Sequence, residues 1–303
     1  MTAGPSAAPA PSAHEPPRCP ICRAATSDAG VARGRVVPGP YRLVRCGACG
    51  FAQVVDPPGP GQVYTDAYYR GDGADPLVDY AFEAGNPGRT VRGYEWRGIA
   101  ARVAALAPLD RSTRWLDAGC GTGGLVRYLR ARVGCDAVGH EEGWALARLR
   151  ERGVPVLGDD DLDAAAGGFD VVTAIEVIEH VPEPMPFLRR MREMLRPGGL
   201  LFLTTGNAAA HRGELADWSY VIPEIHVSFF EPRTLAHAMT AAGFRPRTTG
   251  FGPGHADIIR FKVLKNLRVR TRSRWEAALP WPAIARAADR RHGVSAHPVG
   301  YAA

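Results

Sequence analysis

The 303-residue chain has no apolar run approaching the ~20 residues that a membrane-spanning helix needs, and its longest, such as Leu200–Leu203, are far shorter. It also lacks the basic start and apolar core of a secretory leader. Residues 1–17 are rich in Ala, Pro and Ser, which predicts a disordered, cytoplasmic tail. A disulfide framework is missing too, because four of the six cysteines form two CxxC pairs and the others lie farther along. Neither pair stands in the βαβ setting that a redox-active CxxC requires. A strong charge excess is likewise absent. A net charge of +6 and a pI near 9.2 permit an acidic partner without demanding one.

The cysteines have metal spacing. Cys19-Pro-Ile-Cys22 and Cys46-Gly-Ala-Cys49 each present two thiolates on a tight knuckle, and residues 23 to 45 separate them. Four sulfurs close a tetrahedral shell and leave no position for water, which predicts a structural zinc in a small ribbon. Its strands are expected at Tyr41–Arg45 and Phe51–Val55. A Pro/Gly linker at Asp56–Gly61 leads to Tyr64, Tyr68 and Tyr69, then to a helix over about Arg89–Ala107. The tyrosines either cover a ligand or pack the ribbon onto the main domain, and packing is the preferred reading.

From Thr113 onward strand-like and helix-like segments alternate, which predicts an α/β fold with a doubly wound parallel sheet. Strands are expected at Thr113–Ala118, Asp136–His140, Val154–Leu157, Asp170–Ala174 and Leu200–Thr205, with Phe244–Gly250 and Ser295–Ala302 able to add two more. Pro184 or Pro186 suits the first turn of a helix, and Pro197-Gly198-Gly199 suits the end of one. Between the first strand and a helix at Leu125–Arg132 lies Asp117-Ala-Gly119-Cys120-Gly121-Thr-Gly123-Gly124. Glycines here let the backbone take φ > 0 and approach a ligand held at the helix N-terminus. Gly119-x-Gly121-x-x-Gly124 alone fits a nicotinamide cofactor as well as other nucleosides. Glu141, after the next strand, is placed to accept both hydroxyls of a ribose.

Together these residues resemble class I S-adenosylmethionine-dependent methyltransferases, over roughly Arg89 to the end of the chain. Residues 117–123 look like that family's first motif, Gly139-His140-Glu141 its ribose-binding acid, and Phe169-Asp-Val-Val172 its fourth strand. Glu176-Val-Ile-Glu179-His180-Val181 and Leu195-Arg-Pro-Gly-Gly-Leu200 look like the segments that follow. The resemblance implies a Rossmann-like seven-stranded sheet, with Asp117, Gly119, Cys120 and Gly121 holding the methionine end of the cofactor. It implies Asp160 at the adenine amino group, Leu162 beside the ring and Glu176 near the cofactor. A four-cysteine ribbon at the amino terminus is similar to a bacterial subgroup active on sugars and secondary metabolites, although this chain lacks the extra C-terminal domain of its sugar C-methyltransferases.

Methyl transfer requires the acceptor to lose a proton, and His180, with His226, is the expected base. If Glu176 begins a helical turn, Glu176, Glu179 and His180 share one face. With His226 they would make a second metal site for a divalent cation such as Mg²⁺. That set resembles the metal-binding segment of ubiquinone-pathway O-methyltransferases and small-RNA 2'-O-methyltransferases. Trp218, Tyr220, His226, Phe229 and Phe230 suit an aromatic pocket wall, with Phe229 and Phe230 expected in the core. His211 and His237 are expected at the surface. The seven cations from Arg260 to Arg274 (Arg260, Lys262, Lys265, Arg268, Arg270, Arg272 and Arg274) are expected on a solvated face and would suit nucleic acid if displayed.

The expected organisation is a tail at 1–17, a zinc ribbon at 18–56, a linker with helices at 57–112 and a catalytic domain at 113–303. The expected activity is methyl transfer to oxygen of a small-molecule acceptor in secondary metabolism, in the cytoplasm, with no membrane contact. An RNA methyltransferase, a nicotinamide oxidoreductase and an inactive scaffold are the alternatives. Oligomeric state is not legible.

Overall fold

The computed structural model describes residues 16–75, 77, 79–86, 88–292 and 298–303; the tail through Glu15 and positions 295–297 of the last expected strand lie outside them. The amino-terminal module is a small antiparallel sheet of β1 (Thr26–Arg33), β2 (Pro40–Cys46) and β3 (Ala52–Val54). β1 is a strand the sequence did not signal. It is mostly exposed and polar, and pairing with β2 from Thr26↔Cys46 to Arg33↔Pro40 holds it.

Beyond residue 113 the chain builds β4 (Arg114–Ala118), β5 (Asp136–His140), β6 (Val156–Leu157), β7 (Phe169–Ile175) and β8 (Leu195–Thr204), all parallel. The next strand, β9 (Ser228–Phe229), leaves this sheet and pairs with β3 of the ribbon. Finally β10 (Phe244–Thr248) and β11 (Pro298–Ala302) add an antiparallel edge, giving the order β10-β11-β8-β7-β4-β5-β6. β4 therefore neighbours both β5 and β7, and this reversal of strand order opens a crevice at the strands' carboxyl ends.

Alternation along each strand fills two cores. Leu116, Val172, Ala174, Leu201 and Leu203 point to one face, where Phe51 and Phe230 also lie; Trp115, Val171, Leu200 and Phe202 point to the other. The helix Pro184–Met194 begins at a proline whose missing N–H costs nothing there, and buries Met185, Leu188, Met191 and Met194 along one stripe. It ends at Met194 rather than at Pro197, because β8 begins at Leu195 and absorbs the Pro-Gly-Gly in a register shift beside β7.

Helix Arg92–Ala104 crosses helix His255–Asn266 where Gly98 meets Gly254. A Cβ on Gly98 would lie 2.7 Å from the Gly254 carbonyl oxygen, so only glycine admits this approach. The contact carries the later helix, and its two lysines, to the mouth of the crevice. Among the described residues no helix is long and apolar enough to cross a membrane.

Candidate active site

The glycine turn lies at the crevice. Gly119, Gly121 and Gly123 have φ of +67°, +55° and +68°, and the Gly119 and Cys120 amides both donate to the His140 carbonyl, at 3.0 and 3.1 Å. A Cβ at Gly119 would stand 2.6 Å from Val177, and one at Gly121 would stand 3.1 Å from Tyr80. The Glu141 carboxylate accepts from the Gly121 amide at 2.7 Å, and Asp117 accepts from the Thr173 hydroxyl at 2.8 Å. Burial raises both carboxyl groups to about 7, and these hydrogen bonds only partly offset it. A cleft of about 70 Å³ opens here, walled by Asp117, Gly119, Cys120 and Gly121 on one side and by Tyr80 and Arg92 on the other.

Three residues expected at the cofactor have other surroundings in the folded chain. Asp160 is exposed on the helix Asp159–Ala164, because the three aspartates form its first turn, where the helix dipole favours them. Leu162, on the same helix, is fully buried in the core and offers no face to an adenine. Glu176 does not begin a helical turn: its φ is +54°, and the short helix starts only at Ile178. Its carboxylate instead accepts from Thr204 at 2.9 Å and pairs with Lys262 at 3.0 Å. Burial alone would raise this carboxyl, but Lys262 holds it at about 2.

Glu179, His180 and His226 do converge, with one ligand atom from each lying within 4.8 Å of the others. Glu176 is outside this group. Glu179 is fully buried; one oxygen accepts from the Tyr220 hydroxyl at 2.6 Å and the other has no partner. Burial, then the charge of Glu176, pushes its carboxyl up to about 8. His226 packs its ring against Tyr220 at 4.3 Å and against His180 at 4.9 Å. Burial and His226 push His180 down to about 3. The imidazole is thus neutral near pH 7, and a far weaker base than the free side chain expected from the sequence.

The tyrosines do pack the ribbon onto the main domain, in one cluster with Val37, Ile222 and Ile225, and they also reach the site. Tyr64 Oη lies 3.0 Å from His180 Nδ1, Tyr80 sits over Gly121, and Tyr69 stacks on Trp144 at 4.6 Å, just after Glu141. Their spacing signalled a cluster but not its target. Thr204 and Lys262 had no sequence signal as residues of this site, whereas Tyr220, expected in the aromatic wall, reaches Glu179. Trp218 stacks between His211 and Tyr220, at 4.5 and 4.8 Å, so His211 is part of an aromatic stack, whereas His237 is exposed. Phe229 and Phe230 are buried, Phe230 against Phe51 of the ribbon at 5.2 Å.

The Arg260–Arg274 stretch is a solvated face only in part, with Arg268, Arg270, Arg272 and Arg274 exposed. Arg260 is buried against Glu276 with its guanidinium 3.7 Å from the centre of the Tyr94 ring, and Lys265 lies 3.6 Å from Asp75. Arg270 pairs with Asp79, and Arg272 donates to the Thr90 carbonyl at 2.9 Å. With Lys262 on Glu176, five of the seven cations are engaged by the protein itself.

In the ribbon, the sulfurs of Cys19 and Cys49 are 3.6 Å apart and those of Cys22 and Cys46 are 3.4 Å apart, all four within 4.8 Å. Ligands at about 2.3 Å from a tetrahedral zinc stand roughly 3.8 Å apart, so the cluster has the size that ion needs.

Residues 91–249 match the family described as methyltransferase domain. Among curated relatives, the ubiquinone biosynthesis O-methyltransferase of Cereibacter sphaeroides is 41% identical over 111 residues, 33% of this chain and 44% of that protein. That of Parvibaculum lavamentivorans is 38% identical over 136 residues, 41% of this chain and 52% of that protein. The chain thus spans about half the length of the curated relatives it matches. A solved complex of the Haloferax volcanii Trm112 methyltransferase activator and a methyltransferase aligns with a TM-score of 0.47 at 17% identity, covering 74% of this chain and 97% of that one. The family match covers more than half of the sequence and contains the glycine turn, Glu141 and the Glu179–His180–His226 cluster: the chain belongs to the methyltransferase-domain family, as a class I S-adenosylmethionine-dependent member.

Proposed function

We propose that this protein methylates an oxygen of a small-molecule acceptor, using S-adenosylmethionine held between the glycine turn and the Tyr80–Arg92 wall. The observation that carries the reading is the Glu179–His180–His226 cluster at the carboxyl end of β7, one strand from the turn. The names of the curated relatives support oxygen as the acceptor atom. When bound, the cofactor supplies an electrophilic methyl group on a sulfonium. Asp117 and the glycine turn would line its methionine end, and Glu141 would take the ribose hydroxyls.

The remaining work belongs to the chain's own groups. The Tyr64 hydroxyl fixes the His180 ring through Nδ1, and the ring also bonds the Ile225 backbone. Glu179 keeps one oxygen without a partner, beside His180 and His226. One carboxylate and two imidazoles can hold a divalent cation; Mg²⁺, which prefers oxygen ligands, would need acceptor and water oxygens to complete its shell, and a cation there would lower the pKa of the acceptor hydroxyl. Trp218 and Tyr220 suit a planar acceptor, and a secondary metabolite fits that description. The clustering of their four sulfurs supports Cys19, Cys22, Cys46 and Cys49 as ligands of a structural zinc. The pairing of most of the basic stretch within the protein disfavours RNA as the acceptor.

The test is Glu179→Ala, assayed with candidate phenols in the presence and absence of chelator. Activity that is lost or becomes dependent on added Mg²⁺ supports the reading. Full activity of the wild type in chelator removes the second metal, and a cofactor-dependent rise in melting temperature with a nicotinamide rather than S-adenosylmethionine removes the methyl transfer.

A further inference from the structure

The ribbon and the candidate acceptor site share one piece of backbone. β9 immediately follows His226 and is the fourth strand of the ribbon sheet, with Ala52↔Phe229 and Gln53↔Ser228 in register. The Val54 amide donates to the Val227 carbonyl at 2.9 Å, and the Val227 amide donates to the Glu179 carbonyl at 2.7 Å. Val227 thus hangs between a ribbon strand and a residue of the cluster. The Ser228 hydroxyl adds a bond to the Val181 carbonyl at 2.7 Å, clamping the far side of His180.

A second tie lies just before His226. One oxygen of buried Glu224 accepts from three consecutive ribbon amides, Arg35, Val36 and Val37, at 2.5, 2.6 and 3.1 Å. The knuckle is anchored as well: Thr234 donates to the Cys49 carbonyl at 2.5 Å, and Cys46 donates to the Phe51 carbonyl at 2.7 Å, just before β3.

We infer that the four-cysteine ribbon is a positioning element of the acceptor site, holding His226 and Glu179 in place through β3, Val227 and Glu224. The cradle has no such dependence, since Asp117 sits on β4, and Gly121 and Glu141 lie just past the ends of β4 and β5, strands paired only within the main sheet. The ribbon knuckle acts by fixing where β3 lies. Without the metal, β3 loses its fixed start, and the 225–230 segment loses the partner that aligns it. This inference rests on the reading of Glu179, His180 and His226 as the acceptor site, but its readout does not need turnover.

The experiment is amide hydrogen exchange on the full chain as purified, after zinc removal by chelator followed by return of Mg²⁺, and on Glu224→Ala with all four cysteines intact. The Val227 amide reports its own bond to Glu179. Expected is at least tenfold faster exchange in peptides covering 177–181 and 225–230 in both samples, with peptides covering 114–118 and 136–140 unchanged and S-adenosylmethionine still bound. Unchanged exchange in 177–181 and 225–230 in both samples overturns the inference. Equal acceleration across the central sheet in both also overturns it, because the ribbon would then support overall stability only. Failure to methylate any acceptor would instead count against the proposed function and leave the exchange result standing.

Discussion

Glu141 shows how a residue legible in the sequence acquires its chemistry from its surroundings. Its place after β5 followed from the strand and glycine pattern, but its carboxyl near 7 follows from burial under the tyrosine segment. Asp117 behaves the same way. Folding raises both groups above their unfolded values of 4.5 and 3.8, so the folded state takes up protons. Their contribution to stability is complete below those unfolded values and is lost as pH rises through about 7. A cationic sulfonium with a ribose diol prefers the ionised pair. Cofactor affinity measured by calorimetry should therefore rise between about pH 6 and about pH 8 while the ligand-free melting temperature falls, and Glu141→Gln should weaken binding and flatten the rise. Tyr64 is the residue that no pattern assigned to the site, because its bond to His180 joins positions 116 residues apart. Tyr64→Phe should lower kcat up to about tenfold, the net worth of one such bond, with cofactor binding unchanged. An unaltered kcat would show that His180 needs no partner at Nδ1.

At the level of elements, the parallel strands were visible because each is an apolar run bounded by turn residues, and the glycine turn because only glycine tolerates φ near +60° in succession. Gly119→Ala places a Cβ 2.6 Å from Val177 in a left-handed conformation that costs about 1 kcal/mol by itself. We expect at least a tenfold loss of cofactor affinity in calorimetric titration, only partly recovered by adding Val177→Ala, which relieves the contact but not the backbone strain. What periodicity could not give is the end of β7. Glu176-Val-Ile-Glu179-His180 has helical spacing, yet Lys262, on a helix that arrives from beyond residue 254, pairs with Glu176, whose φ is +54°. The chain's two lysines both lie on that helix, so the partner was countable in the sequence but its destination was not.

Across the whole molecule, the joint between ribbon and main domain is charged as well as apolar. Glu231, almost fully buried, accepts from Arg45 of the ribbon and from Arg212 and Arg233, at 2.9, 2.6 and 2.9 Å. Removing the carboxylate leaves the largely buried Arg45 without its counter-ion, so Glu231→Ala should cost about 3 kcal/mol, read as a lower denaturant midpoint. A shift below about 0.5 kcal/mol would mean that the joint is held by its apolar contacts and backbone pairing, with no net contribution from the charge cluster. By itself the sequence determined the metal-sized cysteine cluster, the parallel sheet and the glycine turn with Asp117 and Glu141, because each depends on spacing within a few residues or on alternation along one strand. Tertiary structure alone decided that Glu176 leaves the cluster, that the tyrosines cover the cradle, that most of the cations of 260–274 pair within the protein, and that β9 belongs to the ribbon. Those outcomes depend on which distant charge or strand edge reaches a residue first, and Lys262, Tyr64 and Val54 are brought to their partners only by the folded path of the whole chain.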